Sequence, residues 1–347
     1  MRRIPSVIAP LRLAARRGVF LAGLVAATLA TTACAAAPAG AKAGRAAGAA
    51  DSAHAPDGTD AGLPDGAAPS PRGAITVTDD QGRDVTLAQP AERVITLAPH
   101  ATELVYAAGA GDAMAGTILG SNFPEAARQV PSIGDGTQPN VERVAELRPD
   151  LVIAWLPGAT ESLMPTLKTL GVPVFYSDPR RLAAIPDEVE TLGRLFGTEA
   201  AAAKEAASLR ARLATLAERY RGRPLVRVFI QAGSKPLYTL NKHSIVNDAI
   251  GICGGVNVFA DAPATAPQVG LEAVMAARPD AVVAGVGGIE DLRALASAWK
   301  ETRLPAALAG HVYGVDADLL YRPGPRLVDA AEALCKVLDQ ARPPASR

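Results

Sequence analysis

The apolar positions of the chain change period in the same way at two places. Val141, Val144 and Leu147 recur at helical spacing, Arg148, Pro149 and Asp150 follow, and then comes the apolar run Leu151, Val152, Ile153, Ala154. Leu271, Val274 and Ala277 repeat the spacing, with Arg278, Pro279 and Asp280 ahead of Ala281, Val282, Val283, Ala284. Both stretches fit E-x-V-x-x-x-R-P-D-x-V-[IV]-A, starting at Glu142 and Glu272, 130 residues apart. That offset is too long for a solenoid repeat and suits one lobe or domain. The proline cannot continue a helix, and it pushes its predecessor out of the helical region. A short, β-branched apolar run suits a strand buried on both faces of a parallel sheet. Each copy therefore predicts helix, stop and buried strand, and the chain as a whole predicts two α/β lobes.

The remaining periodicity fills in those lobes. Ile75, Val77, Val85 and Leu87 alternate around Gly82 and predict a β-hairpin over 74–88. Residues 93–97 read as a buried strand ending in Pro99, His100 and Ala101, with a helix opening at Thr102 as N-cap and stopping at Gly109. A strand-end turn before a helix is where α/β sheets bind ligands. Further strands are predicted over 113–118, 172–176, 226–230 and 311–315, and helices over 163–170, 245–252 and 327–338. Residues 186–221 read as helix almost throughout, with Leu209, Leu213 and Leu216 at helical spacing. Their second part, 199–220, would span roughly 33 Å and carry the chain from one lobe to the other. The predicted fold class is α/β: two Rossmann-like lobes joined by a long backbone helix, with a ligand cleft between them.

Composition changes the picture mainly at the N-terminus. Five arginines (2, 3, 12, 16 and 17) precede the apolar run 19–30, and small residues follow up to Cys34. This predicts a secretory signal peptide over 1–33, its run being short for a membrane span. Residues 34–72 have almost no large apolar side chain and read as a flexible tether. The domains then fall at 73–182 (N-terminal lobe), 183–222 (connecting helix) and 223–347 (C-terminal lobe). Cys34 stands where a bacterial lipoprotein carries its acylated cysteine, although Thr31 replaces the usual leucine of that motif. Without 1–33 the chain keeps 30 basic against 35 acidic residues, a balance that argues against nucleic-acid binding. Cys253 and Cys335 remain; in an exported protein one such pair points to a disulfide, the alternative being two buried thiols.

Enzyme chemistry has little support. There is no phosphate-binding or dinucleotide glycine motif, no nucleophile elbow and no zinc-spaced ligand cluster, and the four histidines are scattered. The expectation is no catalysis, no resident cofactor and no metal site. On charge patterning alone, Glu142 and Glu272 are two solvated helix-face carboxylates. Their matched placement allows a second role, docking onto arginines of a symmetric dimer.

Residues from about 93 to 340 resemble the substrate-binding proteins of bacterial ABC importers, in the helical-backbone class that takes cobalamin, haem and ferric siderophores, and most of all its cobalamin-binding members. The shared stretches are 93–104, 140–144, 149–155, 227–231, 253–259 and 267–272, together with Pro325, Arg326 and the final helix bearing Cys335. The resemblance implies a monomeric protein whose cargo is a metal complex, cobalamin or a related corrinoid first and haem or a ferric siderophore second. It implies that Glu142 and Glu272 meet the permease dimer, that Cys253 and Cys335 pair, and that Pro99, His100, Ala101 and Trp155 face the cargo. Tyr238 and Tyr321 are further candidates for that face, and His100 and Tyr321 are candidate metal-facing groups. For these two, the alternatives are a residue satisfying backbone in the turn and an aromatic packing the lobes. Gly134, Asp135, Ala232 and Ala266 stand where the cobalamin binders place further aromatics. The remaining expectation is an exported, periplasmic protein, membrane-bound only through a lipid on Cys34.

Overall fold

The alternation at 74–88 forms an antiparallel hairpin, β1 (Ile75–Thr78) and β2 (Asp84–Leu87), with Ile75 opposite Leu87. Val77, Val85 and Leu87 point into the core while their neighbours face solvent. The computed structural model describes residues 73–342, so the predicted signal peptide, the tether and Cys34 lie outside the described residues.

The N-terminal lobe follows as β3 (Val94–Thr96), α1 (Pro99–Ala107), β4 (Met114–Gly116), α2 (Val141–Leu147), β5 (Leu151–Ala154), α3 (Met164–Leu170) and β6 (Val174–Tyr176). Its strands form a parallel sheet in the order β4-β3-β5-β6. A helical connector, α4 (Ala184–Phe196) and α5 (Glu199–Tyr220), leads to the second lobe. That lobe begins with β7 (Val226–Gln231), the small hairpin β8 (Gly233–Ser234) and β9 (Leu237–Tyr238), α6 (Ile245–Ile252) and β10 (Gly255–Asn257). It continues with α7 (Leu271–Ala277), β11 (Ala281–Val286), α8 (Ile289–Glu301) and α9 (Pro305–Leu308), and ends with β12 (Val312–Asp316), α10 (Ala317–Leu320) and α11 (Leu327–Gln340). The second parallel sheet runs β10-β7-β11-β12. In both sheets the strand order reverses at the centre, between β3 and β5 and between β7 and β11, which opens a crevice at the carboxyl ends of the strands.

The repeated motif has one structural job in both lobes. α2 and α7 each end on a left-handed arginine, Arg148 (φ 44°) and Arg278 (φ 45°), a conformation costing roughly 1–2 kcal/mol for a non-glycine residue. It aims the Pro-Asp pair at the neighbouring strand. The Asp150 carboxylate accepts the backbone N–H groups of Glu92 (2.8 Å) and Arg93 (3.0 Å), and Asp280 accepts that of Arg227 (2.8 Å). The side chains of Arg93 and Arg227 donate back to the terminal carbonyls of the helices, Leu147 and Ala277, both at 2.7 Å. Carbonyls that a helix end leaves unpaired are thereby satisfied, and each crossing helix is fixed to its sheet.

Two expectations need correction. Thr102 does not cap α1. The helix begins at Pro99, whose fixed φ suits the first turn, with Ala98 as an N-cap that makes no side-chain bond. Thr102 instead sits within the helix, its hydroxyl buried against those of Thr96 (2.6 Å), Thr117 (2.9 Å) and Ser121 (3.2 Å). The connector, predicted as one helical stretch, is two helices broken at Gly197, which adopts φ 68° where other residues pay a steric cost. α4 buries Ile185, Val189, Leu192 and Leu195, and α5 buries Ala202, Ala206, Leu209, Leu213 and Leu216 along one face. Arg210 of α5 reaches Asp187 and Glu190 of α4, both at 2.6 Å, exposed pairs that align the helices more than they stabilise them.

The two lobes belong to one compact unit, and several polar links join them. Glu103 of α1, 3% exposed, lies against two arginines of the second lobe. Arg326 Nε and Nη2 donate to it at 3.0 and 2.5 Å, and Arg322 Nη1 at 3.4 Å. Arg322 also bonds Asn122 (2.9 Å) and Asp318 (2.6 Å), while Arg326 lies 4.3 Å over the Phe123 ring. The N–H of Leu182, ahead of α4, donates to Asp248 of α6 at 2.7 Å.

Cys253, just after α6, forms a disulfide with Cys335 of α11, at a Cα separation of 4.8 Å. The bridge closes a loop spanning 82 residues, and in the chain-entropy picture a loop of that size contributes about 4 kcal/mol. The first sheet lies wholly outside that loop, three of the four strands of the second lie within it, and each sheet packs an apolar core of its own. Reduction, or the Cys253→Ser/Cys335→Ser double variant, is expected to lower the melting temperature while the far-UV circular dichroism at 20 °C is retained. Differential scanning calorimetry with and without reductant measures this, and an unchanged melting temperature contradicts it.

Candidate ligand-binding cleft

The crevice left by the strand reversals is built from both lobes. A cavity of about 480 Å³ lies between the turns after β5 and β6 on one side and residues 240–246, 265–266 and 321–323 on the other. That volume is within the ordinary range for small-molecule sites. Trp155, the first residue beyond β5, presents its ring there and is 38% exposed, unusual for so large an aromatic. Opposite stand Leu240, His243 and Ala266, with Tyr321 at the junction. A second cavity of about 650 Å³ lies within the C-terminal lobe at the carboxyl ends of β7 and β11, bordered by Ala232, Trp299 and again Tyr321. The first is the candidate site, because only there do both lobes contribute walls.

Trp155 is held at two points. Its indole N–H donates to Asp178 Oδ1 at 2.8 Å, and the His100 ring packs against it edge-on at 5.4 Å between centroids. Asp178 also accepts Arg180 Nε at 2.9 Å. The wall of the cleft is thus an aromatic face beside an exposed guanidinium, an arrangement fit to stack on a planar, anionic or amide-rimmed molecule.

The structure separates the sequence-predicted residues. Trp155 and Tyr321 border the cavity. His100 does not reach it: it is 1% exposed, and Nε2 donates to the Ser177 carbonyl at 3.2 Å, so the ring supports the wall from behind. Ala101 is fully buried in the core beneath α1, and Pro99 is partly buried at the helix start. Tyr238 is 37% exposed on β9, beside Gln268 and away from the cavity lining. The Tyr321 hydroxyl is already engaged, accepting from the Gly285 N–H and donating to the Gln231 carbonyl, both at 2.9 Å. A Cβ on Gly285 would fall 2.2 Å from the Tyr321 ring, so the glycine is what lets the ring lie on β11. Among the described residues no group of three or more His, Cys, Asp or Glu side chains is placed to hold a metal ion. Glu142 and Glu272 stand exposed in the first turns of α2 and α7, equivalent positions outside the cavity.

Sequence reasoning missed Asp178, Arg180 and His243. The signal available for the first two was position, since they directly follow the end of a parallel strand. It also missed Glu188 of α4, which is 6% exposed with neither carboxylate oxygen hydrogen-bonded among the described residues.

A model of the periplasmic binding protein family matches residues 94–319, and the chain belongs to that family. The vitamin B12-binding protein of Yersinia pseudotuberculosis is 35% identical over 275 residues, which cover 79% of this chain and 95% of the relative. Among solved structures, the periplasmic vitamin B12 binding protein BtuF of Vibrio cholerae superimposes with a TM-score of 0.66 at 34% identity, over 73% of this chain and 98% of that one. The periplasmic heme-binding protein RhuT from Roseiflexus sp. RS-1, in apo form, gives 0.63 at 25% identity, covering 73% and 100%. The two-lobed α/β fold expected from the sequence is the fold these proteins share. Among the described residues no helix is long and apolar enough to cross a membrane.

Two buried groups, Glu188 and His100, make stability depend on pH. Burial, then the charge of Asp80, pushes the Glu188 carboxyl well above its ordinary 4.5. A group whose folded pKa is raised contributes stability that is full below the unfolded value and is lost as pH rises through the folded one. Burial lowers His100 from 6.5 to about 4, so its contribution is full above 6.5 and is lost as pH falls towards 4. Melting temperature followed from pH 4 to 9 is expected to fall at both ends, and Glu188→Gln is expected to remove the alkaline fall alone. An alkaline limb unchanged in the variant contradicts the assignment.

Proposed function

We propose that this chain is the cargo-capturing component of an ABC importer, that it binds cobalamin or a related corrinoid between its lobes, and that it delivers the cargo unchanged to a permease dimer. The observation that carries the reading is the 35% identity to a vitamin B12-binding protein across 95% of that protein's length. The cleft supports it: Trp155 offers an exposed ring for a macrocycle, and Arg180 offers donors for its amide rim. A related cargo, haem or a ferric siderophore, is the second reading, favoured by the likeness to a heme-binding protein at 25% identity. The protein works as a monomer and needs no cofactor of its own. Export follows from the basic, apolar and small-residue pattern of 1–33, and a lipid on Cys34 would tether the protein through 34–72.

Isothermal titration of the purified protein with cyanocobalamin, haemin and a ferric siderophore tests the cargo. The expected outcome is one-to-one binding, tightest for cyanocobalamin, with the corrinoid recovered intact. Tighter binding of haemin selects the second reading, and chemical conversion of a ligand replaces both with an enzyme.

Glu142 and Glu272 are the proposed permease contacts. They occupy the same position in the two copies of the motif, and no salt bridge engages either among the described residues. An exposed pair adds little affinity, but two at opposite lobes fix orientation, and deleting one leaves a partner arginine uncompensated. Glu142→Ala and Glu272→Ala are expected to leave the cargo Kd within about twofold and to reduce uptake in cells, with the double variant impaired about tenfold or more. Loss of cargo affinity in a folded double variant would place these carboxylates in the cleft instead.

A further inference from the structure

The family match begins at residue 94, so the β1–β2 hairpin lies outside it, yet the hairpin turn is bonded to the back of the cleft. Asp80 Oδ2 accepts the backbone N–H of Asp178 at 2.5 Å, and the Asp80 N–H donates to the Tyr176 carbonyl at 3.0 Å. Asp79, 5% exposed, accepts the Tyr176 N–H at 3.3 Å and holds its own turn through the N–H groups of Gln81 and Arg83, both at 2.9 Å. Arg83 closes the clamp, pairing with Asp79 at 2.8 Å while lying 4.0 Å over the Tyr176 ring. The clamped segment, 176–178, is the one whose Asp178 side chain holds both Trp155 and Arg180. The neighbouring Ser177 is held by its N–H on the Ala154 carbonyl (2.8 Å) and by His100 (3.2 Å), while the Asp178 N–H is taken up by Asp80.

We infer that Asp80 is a positioning residue for the cleft: by holding the Asp178 backbone it sets the Asp178 carboxylate, and through that carboxylate the angle of Trp155 and the reach of Arg180. The hairpin is thus part of the binding apparatus although it touches no cargo. A hydrogen bond to a charged acceptor is among the stronger ones. It matters here because its loss releases a turn that bears two cleft side chains, and small displacements of a preorganised wall weaken binding. The role of the cleft rests on the proposed function, while the effect on Trp155 does not.

The test uses the cargo-free protein first. The chain has two tryptophans, of which Trp299 is 5% and Trp155 38% exposed, so a Trp155→Phe variant isolates the Trp155 emission by difference. Asp80→Ala is expected to change the emission maximum of Trp155 and to raise its acrylamide quenching constant about twofold. Asp80→Asn, which keeps an acceptor oxygen, is expected to restore both. Asp84→Ala removes a bond internal to the same hairpin, accepted from Thr78 (3.0 Å), and is expected to leave Trp155 emission as in the unmodified protein. Titration with cyanocobalamin is then expected to show about tenfold weaker binding for Asp80→Ala and no change for Asp84→Ala. Unchanged quenching in folded Asp80→Ala, or an equal change in Asp84→Ala, overturns the positioning role. If the unmodified protein binds none of the three cargoes, the proposed function fails, and the quenching comparison still decides whether Asp80 sets Trp155.

Discussion

The relation between the lobes depends on one buried carboxylate. Glu103 is nearly inaccessible and sits against Arg322 and Arg326 of the opposite lobe. A charge buried this far is tolerated only with its partners in place, and removing one partner of such a pair costs about 3–5 kcal/mol. Sliding or opening the lobes at this point would therefore leave one or more charges unpaired in a dry environment. Asn122 and Asp318 extend the contact, and the Phe123 ring lies under the Arg326 guanidinium. The width of the cleft above is set by this junction, by the Leu182–Asp248 bond and by the packed connector.

Within each lobe the corresponding constraint is the Pro-Asp corner. Asp150 and Asp280 take up the N–H groups that open the neighbouring strands, and Arg93 and Arg227 return the bonds to the helix ends. The same corner in both lobes places α2 and α7 alike, and so places Glu142 and Glu272 alike at the outer surface. A structural repeat thus yields matched surface charges as a by-product of how the sheets are closed.

The fold was legible because its elements are strongly periodic. Leu209, Leu213 and Leu216 mark the α5 stripe, and the β-branched runs 151–154 and 281–284 mark the two central strands. The break at Gly197 was harder to see, since apolar residues at helical spacing continue on both sides of it. The cleft was only half legible. Trp155 announced itself as an aromatic beyond a strand end, but Asp178, Arg180 and His243 come from loops whose meeting is decided by lobe packing. His100 and Ala101 were misleading for a physical reason. Helix α1 starts at Pro99, four residues earlier than a Thr102 cap would set it, so Ala101 turns into the core and His100 towards Ser177. Glu103 was invisible as a lock, because its partners lie more than 200 residues away: 219 for Arg322 and 223 for Arg326.

Each sheet is drawn from a single unbroken stretch of chain, β3 to β6 from 94–176 and β7 to β12 from 226–316. A polypeptide emerging N-terminus first thus completes one entire sheet before the first strand of the other appears. The first lobe can therefore condense without waiting for strands of the second. The second lobe must wait longer, because Cys253 emerges 82 residues ahead of Cys335. With only three cysteines in the chain, the sole competing partner in that interval is Cys34, and acylation there would leave Cys253 with one possible match. The order of emergence and the scarcity of thiols together leave a nascent chain with very few ways to assemble wrongly.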